Sequence, residues 1–429
     1  MSGNRGHVVF ISQMYPPEKG GNASRIHDTA RNLQEHGWSV TVVTPPPSYP
    51  PGEFAPTWRR TDTEVRDGVI VHRLWTWQPR TENPGMARRL PYYLLFGIHV
   101  MWWLLWNARR HDVVVTSTPP ISTGAPGLVG SILGVPWIVD VRDLWIDASI
   151  SLGYLRAGSR IERLSRRFQQ KVLETADRIS VTTPATAATI RDRYGESLGE
   201  KTLVLPNGVD TEQFQPAPES DGGTAVVDAT DPADGSKVTA TGERPVIVYT
   251  GNLGAAQDLE SCIRAMAHLS RDDAVLRLVG SGDLESRLRA LTDELGLEDC
   301  VEFAGTVDRA AIPHILATAT IGIAPLADTE ELAYAMPTKV YEYLACGLPT
   351  VTTGRGELKE FIKSSGGGIH VDNDPVAIAR AFDDLLADDA RRARMGTAGR
   401  QHVVEQYDRS AIAGQLAAEL VDISGVSSQ

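Results

Sequence analysis

Short apolar runs alternate along this chain with stretches whose apolar residues recur every three or four positions. Residues 7–13 form a strand pattern, four apolar positions closing on polar ones. After a loop, Tyr15-Pro-Pro-Glu-Lys-Gly-Gly-Asn22, residues 23–36 put Ile26, Ala30 and Leu33 on one side of a helix that Gly37 ends. Strand patterns follow at 39–44, 69–74, 112–117, from Trp137, at 178–183 and at 202–205, with helices at 161–176 and 184–194. The alternation restarts at residue 245. Strands fall at 245–250, 275–279, 301–307, 321–326 and 348–352, and helices at 258–269, 284–295, 312–317, 375–386 and 390–406. Within 336–350, Pro337 opens a short helix, Val340, Leu344 and Ala345 face a core, and Gly347 ends it. Strands separated by helices predict α/β architecture, a doubly wound parallel sheet in each half. The expected divisions are 1–206, a linker at 207–244, a second domain at 245–408, and a last helix within 409–429.

Three stretches break the pattern. Residues 45–58, rich in proline and aromatics, read as a loop. Residues 216–244 are dominated by Pro, Asp, Gly, Ser, Thr and Ala and read as a flexible or disordered insertion. Residues 90–106 are the most apolar run, with Tyr92, Tyr93, Phe96, Trp102, Trp103 and Trp106 between Arg88-Arg89 and Arg109-Arg110. A membrane span is improbable there, because a strand that must join the sheet follows at once. Two readings stand: a core helix, or a helix presenting Trp and Tyr to a bilayer interface with arginines on anionic headgroups.

Composition narrows the function. The 429 residues suit two domains, and 42% hydrophobic content is ample for two cores. A net charge of −12 argues against general nucleic-acid binding. Cys262, Cys300 and Cys346 are far apart and lack metal spacing, so an intracellular, reducing compartment is the simplest expectation. The polar start and the brief apolar run at 8–11 do not make a signal peptide.

The candidate chemistry sits at strand ends. Lys339 and Glu342 are three apart and share a helical face, which suits a phosphate and a sugar hydroxyl; the alternative is an exposed ion pair. Gly251-Asn252-Leu253-Gly254 is a tight loop that opens a helix, so its N–H groups favour a diphosphate. Gly280-Ser-Gly282 is the next such turn. Gly20 and Gly21 would let a ligand approach the backbone before the first helix, or else form a plain turn. That loop is not a G-x-G-x-x-G fingerprint, so nicotinamide or flavin binding has weak support. Asp140, Arg142 and Asp143 lie at or beyond a strand end. They form either a cleft site or a salt bridge between Arg142 and one of the aspartates. An arginine cannot act as a base.

The helix carrying Glu342, followed by Ala345-Cys346-Gly347-Leu348-Pro349, resembles the donor signature of retaining glycosyltransferases of family 4. With Lys339, Tyr341, Glu342 and Tyr343, it is most similar to the branch that transfers amino-sugars such as N-acetylfucosamine to lipid-linked acceptors. Arg142-Asp143-Leu144-Trp145 resembles a motif of that branch, where many relatives have His-Asp. Pro206-Asn-Gly-Val-Asp210 resembles a family hallmark between the domains. The resemblance implies the GT-B fold, two Rossmann-like domains facing an interdomain cleft, with the last helix crossing back to the first domain. It implies a nucleotide-sugar donor at Gly251, Asn252, Gly254, Gly280, Gly282, Val307, Lys339, Glu342 and Gly356. Gly20, Gly21 and Asn22 would lie between acceptor and donor diphosphate. Asp143, Arg142 and Lys339 would serve catalysis, and Trp102, Trp103 and Trp106 would touch lipid. It further implies a polyprenyl or dolichyl acceptor and a cytoplasmic protein peripheral on the inner face of the membrane. The nucleotide-diphosphate-sugar would be a co-substrate, with no metal or other cofactor and no nucleic acid. There are departures. The family often has a glutamate eight residues before Glu342, where this chain has Tyr334, and basic residues near Ala255 and Ala256, leaving Lys339, backbone amides and Arg355 to meet the diphosphate charge. The alternatives are a same-fold transferase for a soluble acceptor, a nucleotide-sugar epimerase and a non-catalytic binding module.

Overall fold

The computed structural model describes residues 5–18, 21–48, 54–55, 57–78, 86–151, 155–217, 229–230, 237–238 and 244–426. They form two compact units: Met1–Asn207 with Arg409–Gln429, and Gly208–Asp408. Most of the insertion read at 216–244 lies outside the described residues, as do Lys19 and Gly20.

The first unit contains β1 (Gly6–Ile11), α1 (Gly21–Glu35), β2 (Trp38–Thr44), β3 (Thr61–Arg66), β4 (Val69–Leu74), α2 (Met86–Asn107), β5 (Val113–Thr118), α3 (Gly124–Ile132), β6 (Trp137–Val141), α4 (Trp145–Ser151), α5 (Arg160–Thr175), β7 (Arg178–Val181), α6 (Pro184–Tyr194), α7 (Glu196–Glu200) and β8 (Thr202–Val204). Its sheet has the order β3-β4-β2-β1-β5-β6-β7-β8. All pairs are parallel except β3 with β4. The order reverses between β1 and β5, where Ile11 faces Thr116, so a ligand crevice is expected beyond those strand ends. The stripe of Ile26, Ala30 and Leu33 buries α1 against Val8, Phe10 and Val40. Ser159 caps α5 by accepting from Glu162 N at 3.1 Å, while Glu162 accepts from Gly158 N at 2.7 Å.

Two short strands, β9 (Ala229–Thr230) and β10 (Lys237–Val238), pair antiparallel. The second unit continues with β11 (Val246–Thr250), α8 (Leu259–Met266), β12 (Val275–Val279), α9 (Glu285–Leu295), β13 (Val301–Gly305), α10 (Ile312–Ala317), β14 (Ile321–Pro325), α11 (Thr338–Ala345), β15 (Thr350–Thr353), α12 (Glu357–Ser365), β16 (Gly368–His370), α13 (Pro375–Leu386) and α14 (Asp389–Gln406). Its all-parallel sheet has the order β13-β12-β11-β14-β15-β16. The order reverses between β11 and β14. Near-continuous apolar strands such as Val246–Thr250 and Ile321–Pro325 suit a sheet covered on both faces. The last helix, α15 (Arg409–Ser424), belongs to the first unit, where Leu416, Ala417 and Leu420 join the core beside α1.

The run at 90–106 is a helix with one face in the core and the other exposed. On α2, Phe96, Val100 and Leu104 enter the core. Leu90, Leu94, Ile98, Trp102, Leu105 and Trp106 form the opposite face, with Trp102 59% and Trp106 76% exposed. Among the described residues no helix is long and apolar enough to cross a membrane.

Candidate functional site

In the second unit, the predicted glycines meet at the carboxyl end of the sheet. The loop after β11 lies backbone to backbone on the loop after β12. Gly251 N donates to Val279 O at 2.9 Å, and Leu253 N to Ser281 O at 3.0 Å. Only glycine fits at Gly280. Its φ is +137°, and a Cβ there would fall 1.9 Å from Gly251 O. Gly280 N donates to Gly305 O at 2.7 Å, which brings in the turn holding half-buried Val307. Gly356 begins α12 with φ +72°, and a Cβ there would meet Ala333 O at 1.9 Å. Asn252 is exposed, and its carbonyl accepts from the Tyr249 hydroxyl at 2.6 Å.

Above these loops, α11 sorts its residues by face. Val340, Tyr341, Tyr343 and Leu344 are buried. The Tyr343 hydroxyl accepts from Thr250 N at 2.7 Å, tying the helix to the end of β11. Lys339 and Glu342 occupy the other face, but not as an exposed ion pair. Lys339 Nζ stands 3.7 Å from the centre of the Tyr249 ring and donates to Gln257 Oε1 at 3.3 Å. A Cβ at Gly251 would lie 3.1 Å from it. Burial pushes its pKa down to about 7, against the pull of Glu342. The Glu342 carboxylate is half-buried and makes no hydrogen bond or ion pair among the described residues. Arg355, expected to help with diphosphate charge, is paired with Asp328 instead.

Sequence reading missed Asn373 and Gln257. Asn373 Nδ2 donates to Asp258 Oδ2 at 3.0 Å and Leu326 O at 2.9 Å, while its Oδ1 accepts from Gly354 N at 2.9 Å. One amide thus fixes the loops after β11, β14 and β15. In sequence it looks only like the turn before the Asp374-Pro375 helix start.

In the first unit, Asp140 is not at an open strand end. It is buried inside β6 and takes a two-pronged ion pair from Arg25, at 2.7 and 3.0 Å, with Ser117 Oγ at 2.9 Å and Ser180 Oγ at 2.8 Å. Burial acts to raise its pKa, but Arg25 and these donors hold it below the ordinary value. A salt bridge between Arg142 and one of the aspartates was one of the two expectations. The Arg142 guanidinium instead donates to two amide oxygens, Asn22 Oδ1 and, at 3.3 Å, Asn207 Oδ1. Burial first, and then Arg25, lower the Arg142 pKa to about 10, so it stays charged at neutral pH. Asn207, from the Pro-Asn-Gly turn, also accepts at its carbonyl from Arg409 Nε at 3.1 Å. Gly21 opens α1 beside Asn22. Asp143 is exposed, and its carboxylate has no partner among the described residues. Glu18 was not singled out in the sequence, yet it is buried and ties Tyr15 to the segment after β2. It accepts from Tyr15 N at 3.2 Å and Ser48 N at 3.0 Å.

The arrangement offers two groups of chemistry. One is a pair of glycine-rich loops with one lysine and one unpaired carboxylate above them. The other is a fixed arginine beside an exposed aspartate.

Residues 20–208 match the family described as glycosyl transferase 4-like domain, and residues 232–402 match glycosyl transferases group 1. A colanic acid biosynthesis glycosyl transferase of Escherichia coli K12, WcaI, is 24% identical, covering 72% of this chain and 74% of the relative. The GDP-mannose-dependent alpha-(1-6)-phosphatidylinositol monomannoside mannosyltransferase of Mycolicibacterium smegmatis is 27% identical, covering 70% and 79%. Among solved structures, the sucrose-phosphate synthase of Thermosynechococcus elongatus superposes with a TM-score of 0.73 at 21% identity, over 98% of this chain and all of that one. The two parallel-sheet units have the GT-B fold.

Proposed function

We propose that this chain, a glycosyltransferase with a glycosyl transferase 4-like domain followed by a group 1 domain, moves an amino- or deoxy-sugar from a nucleotide-sugar to a lipid-linked saccharide with retention. The product would belong to a surface polysaccharide or glycan. The observation that carries the donor assignment is Lys339, a half-buried ammonium that makes no ion pair, set against Gly251. The more distant Glu342 only partly balances that charge, and a diphosphate would supply a direct partner.

In this reading the diphosphate rests on the amides of Asn252 and Gly254, those of the loop not already donating to the neighbouring strand end, on Lys339 and near Gly356. Stabilising its charge as the glycosidic bond breaks is the main catalytic task. Glu342, with free lone pairs, accepts from the ribose hydroxyls. Asn22 and Asn207 hold Arg142, which supplies positive charge. Asp143 assists the removal of the acceptor proton. A double displacement needs a carboxylate nucleophile against the sugar, and the reading assigns none, so transfer is front-face. No resident metal takes part. The exposed face of α2 meets the bilayer, placing the protein at the inner surface of the cell membrane.

The relative named for GDP-mannose and a phosphatidylinositol mannoside supports a nucleotide-sugar donor and a lipid acceptor. It also favours a second reading for the sugar, mannose. The test is transfer of radiolabel from a panel of GDP- and UDP-sugars, using the full chain and lipid extract from its host. Label should enter the organic phase, in a product whose anomeric configuration matches the donor's. Label confined to a water-soluble product, or donor isomerised without acceptor, contradicts the reading.

A further inference from the structure

On the first unit, the C-terminal half of α2 and the β3–β4 hairpin enclose an open pocket of about 560 Å³. Its walls include Leu74, Trp75, Trp102, Trp103 and Trp106, with Arg60 at the edge. The volume falls within the roughly 300–1,000 Å³ common for small-molecule sites. Trp58 stacks on Trp75, ring centres 5.9 Å apart, and backs that wall.

Two polar side chains of the lining are tied to backbone carbonyls within it. Asn107 Nδ2 donates to Trp103 O at 2.8 Å, and His99 Nδ1 bonds Trp75 O at 2.5 Å. The walls present chiefly hydrocarbon, from the four indole rings and Leu74. Charge is left over at the margin. Arg60 lines the pocket, and Arg109 and Arg110 follow close after Asn107. All three are exposed, and none of their guanidiniums has a hydrogen bond or ion pair among the described residues. Three unpaired guanidiniums in a chain of net charge −12 favour an anionic group beside the apolar one. The pocket is also continuous with a larger surface. Trp102 and Trp106 line it and belong to the exposed stripe that runs back through Ile98, Leu94 and Leu90.

We infer that this pocket holds the isoprenyl chain of the acceptor, with its phosphates on the arginines. The inference rests on the acceptor being lipid-linked, as proposed above. It adds a site for the carrier itself, separate from the groups assigned to sugar transfer. The chain enters from the bilayer along the α2 stripe and packs among the indole rings. The tryptophans then select for a lipid carrier rather than merely adhering to membrane.

The test uses the full chain without vesicles, titrated with geranyl, farnesyl and geranylgeranyl diphosphate and with inorganic diphosphate. Binding is read by calorimetry and tryptophan fluorescence. Each buried methylene is worth roughly fourfold in affinity, so affinity should rise at least tenfold from geranyl to farnesyl diphosphate, and inorganic diphosphate should bind far more weakly. Trp75→Ala should weaken farnesyl diphosphate at least tenfold while vesicle flotation and nucleotide-sugar binding stay unchanged. Arg60→Glu should weaken farnesyl diphosphate but not farnesol, which gives an independent readout if Trp75→Ala fails to fold. Affinity indifferent to chain length overturns the inference. So does a folded Trp75→Ala protein with full affinity, or one that loses vesicle flotation in equal measure, which would mark a site for bilayer phospholipid. Nucleotide-sugar binding measured on the same sample separates the two claims. Donor binding without isoprenyl binding overturns the pocket alone, and isoprenyl binding without donor binding overturns the transferase reading alone.

Discussion

Replacing Lys339 with methionine should abolish a pH dependence that the donor site otherwise shows. The ammonium rests on the Tyr249 ring with an amide oxygen as its hydrogen-bond partner. Burial holds its pKa near 7, only partly offset by Glu342. The diphosphate of a nucleotide-sugar keeps both charges across the neutral range, so its arrival favours the protonated lysine and raises that pKa. Affinity is therefore fully present below about pH 7 and is lost as pH rises through it. Two pH units above, about one lysine in a hundred is charged before binding. The apparent Kd at pH 9 is then roughly hundredfold weaker than at pH 6, about 2.7 kcal/mol. Calorimetry across this range gives both the affinity and, with two buffers of different ionisation heat, the proton taken up. Near pH 8 uptake should approach one proton per donor bound. Lys339→Met should bind weakly with a flat profile. A flat profile in the unaltered protein, or the same slope in the variant, would refute the placement of Lys339 against the diphosphate.

Three further outcomes follow from named contacts. Glu342→Ala should raise the donor KM at least tenfold, about 1.4 kcal/mol, with unchanged thermal stability; an unchanged KM removes Glu342 from the donor site. Asp143→Asn should lower kcat with the fold intact, since the exposed carboxylate holds nothing together, and full activity would end its catalytic role. Asp140→Asn should cost about 3–5 kcal/mol of stability, because it leaves the buried Arg25 guanidinium without its counter-charge. Urea unfolding at neutral pH measures this, and a loss below 1 kcal/mol contradicts the buried-pair account.

Much of the architecture was legible because the signals were local. Ile26, Ala30 and Leu33 mark one helix face, and Pro375 marks a helix start that the structure places at that residue. The edge strand β3 was not legible. Thr-Asp-Thr-Glu-Val-Arg faces solvent along most of its length and so lacks an apolar pattern. Helix α3 was not read from the sequence either, and three of its nine residues are glycine. Gly127 is needed where the Trp137 indole packs, since a Cβ there would fall 1.9 Å from the ring. At the candidate sites, residue types were readable but partners were not. Nothing within the Trp137–Trp145 segment reveals that Asp140 would be claimed by Arg25, 115 positions away, leaving Arg142 to two asparagines. The role of Asn373 is invisible for the same reason. It exists only when the ends of three strands converge.

The most direct test of the central claim, a nucleotide-sugar seat in the second unit, is thermal unfolding of the full chain against a panel of nucleoside diphosphates and their sugars. A ligand at 100 times its Kd adds about 2.7 kcal/mol. The account predicts a selective stabilisation by one nucleotide and its sugars, lost in Lys339→Met. No stabilisation by any member of the panel, or an equal one in that variant, would contradict it.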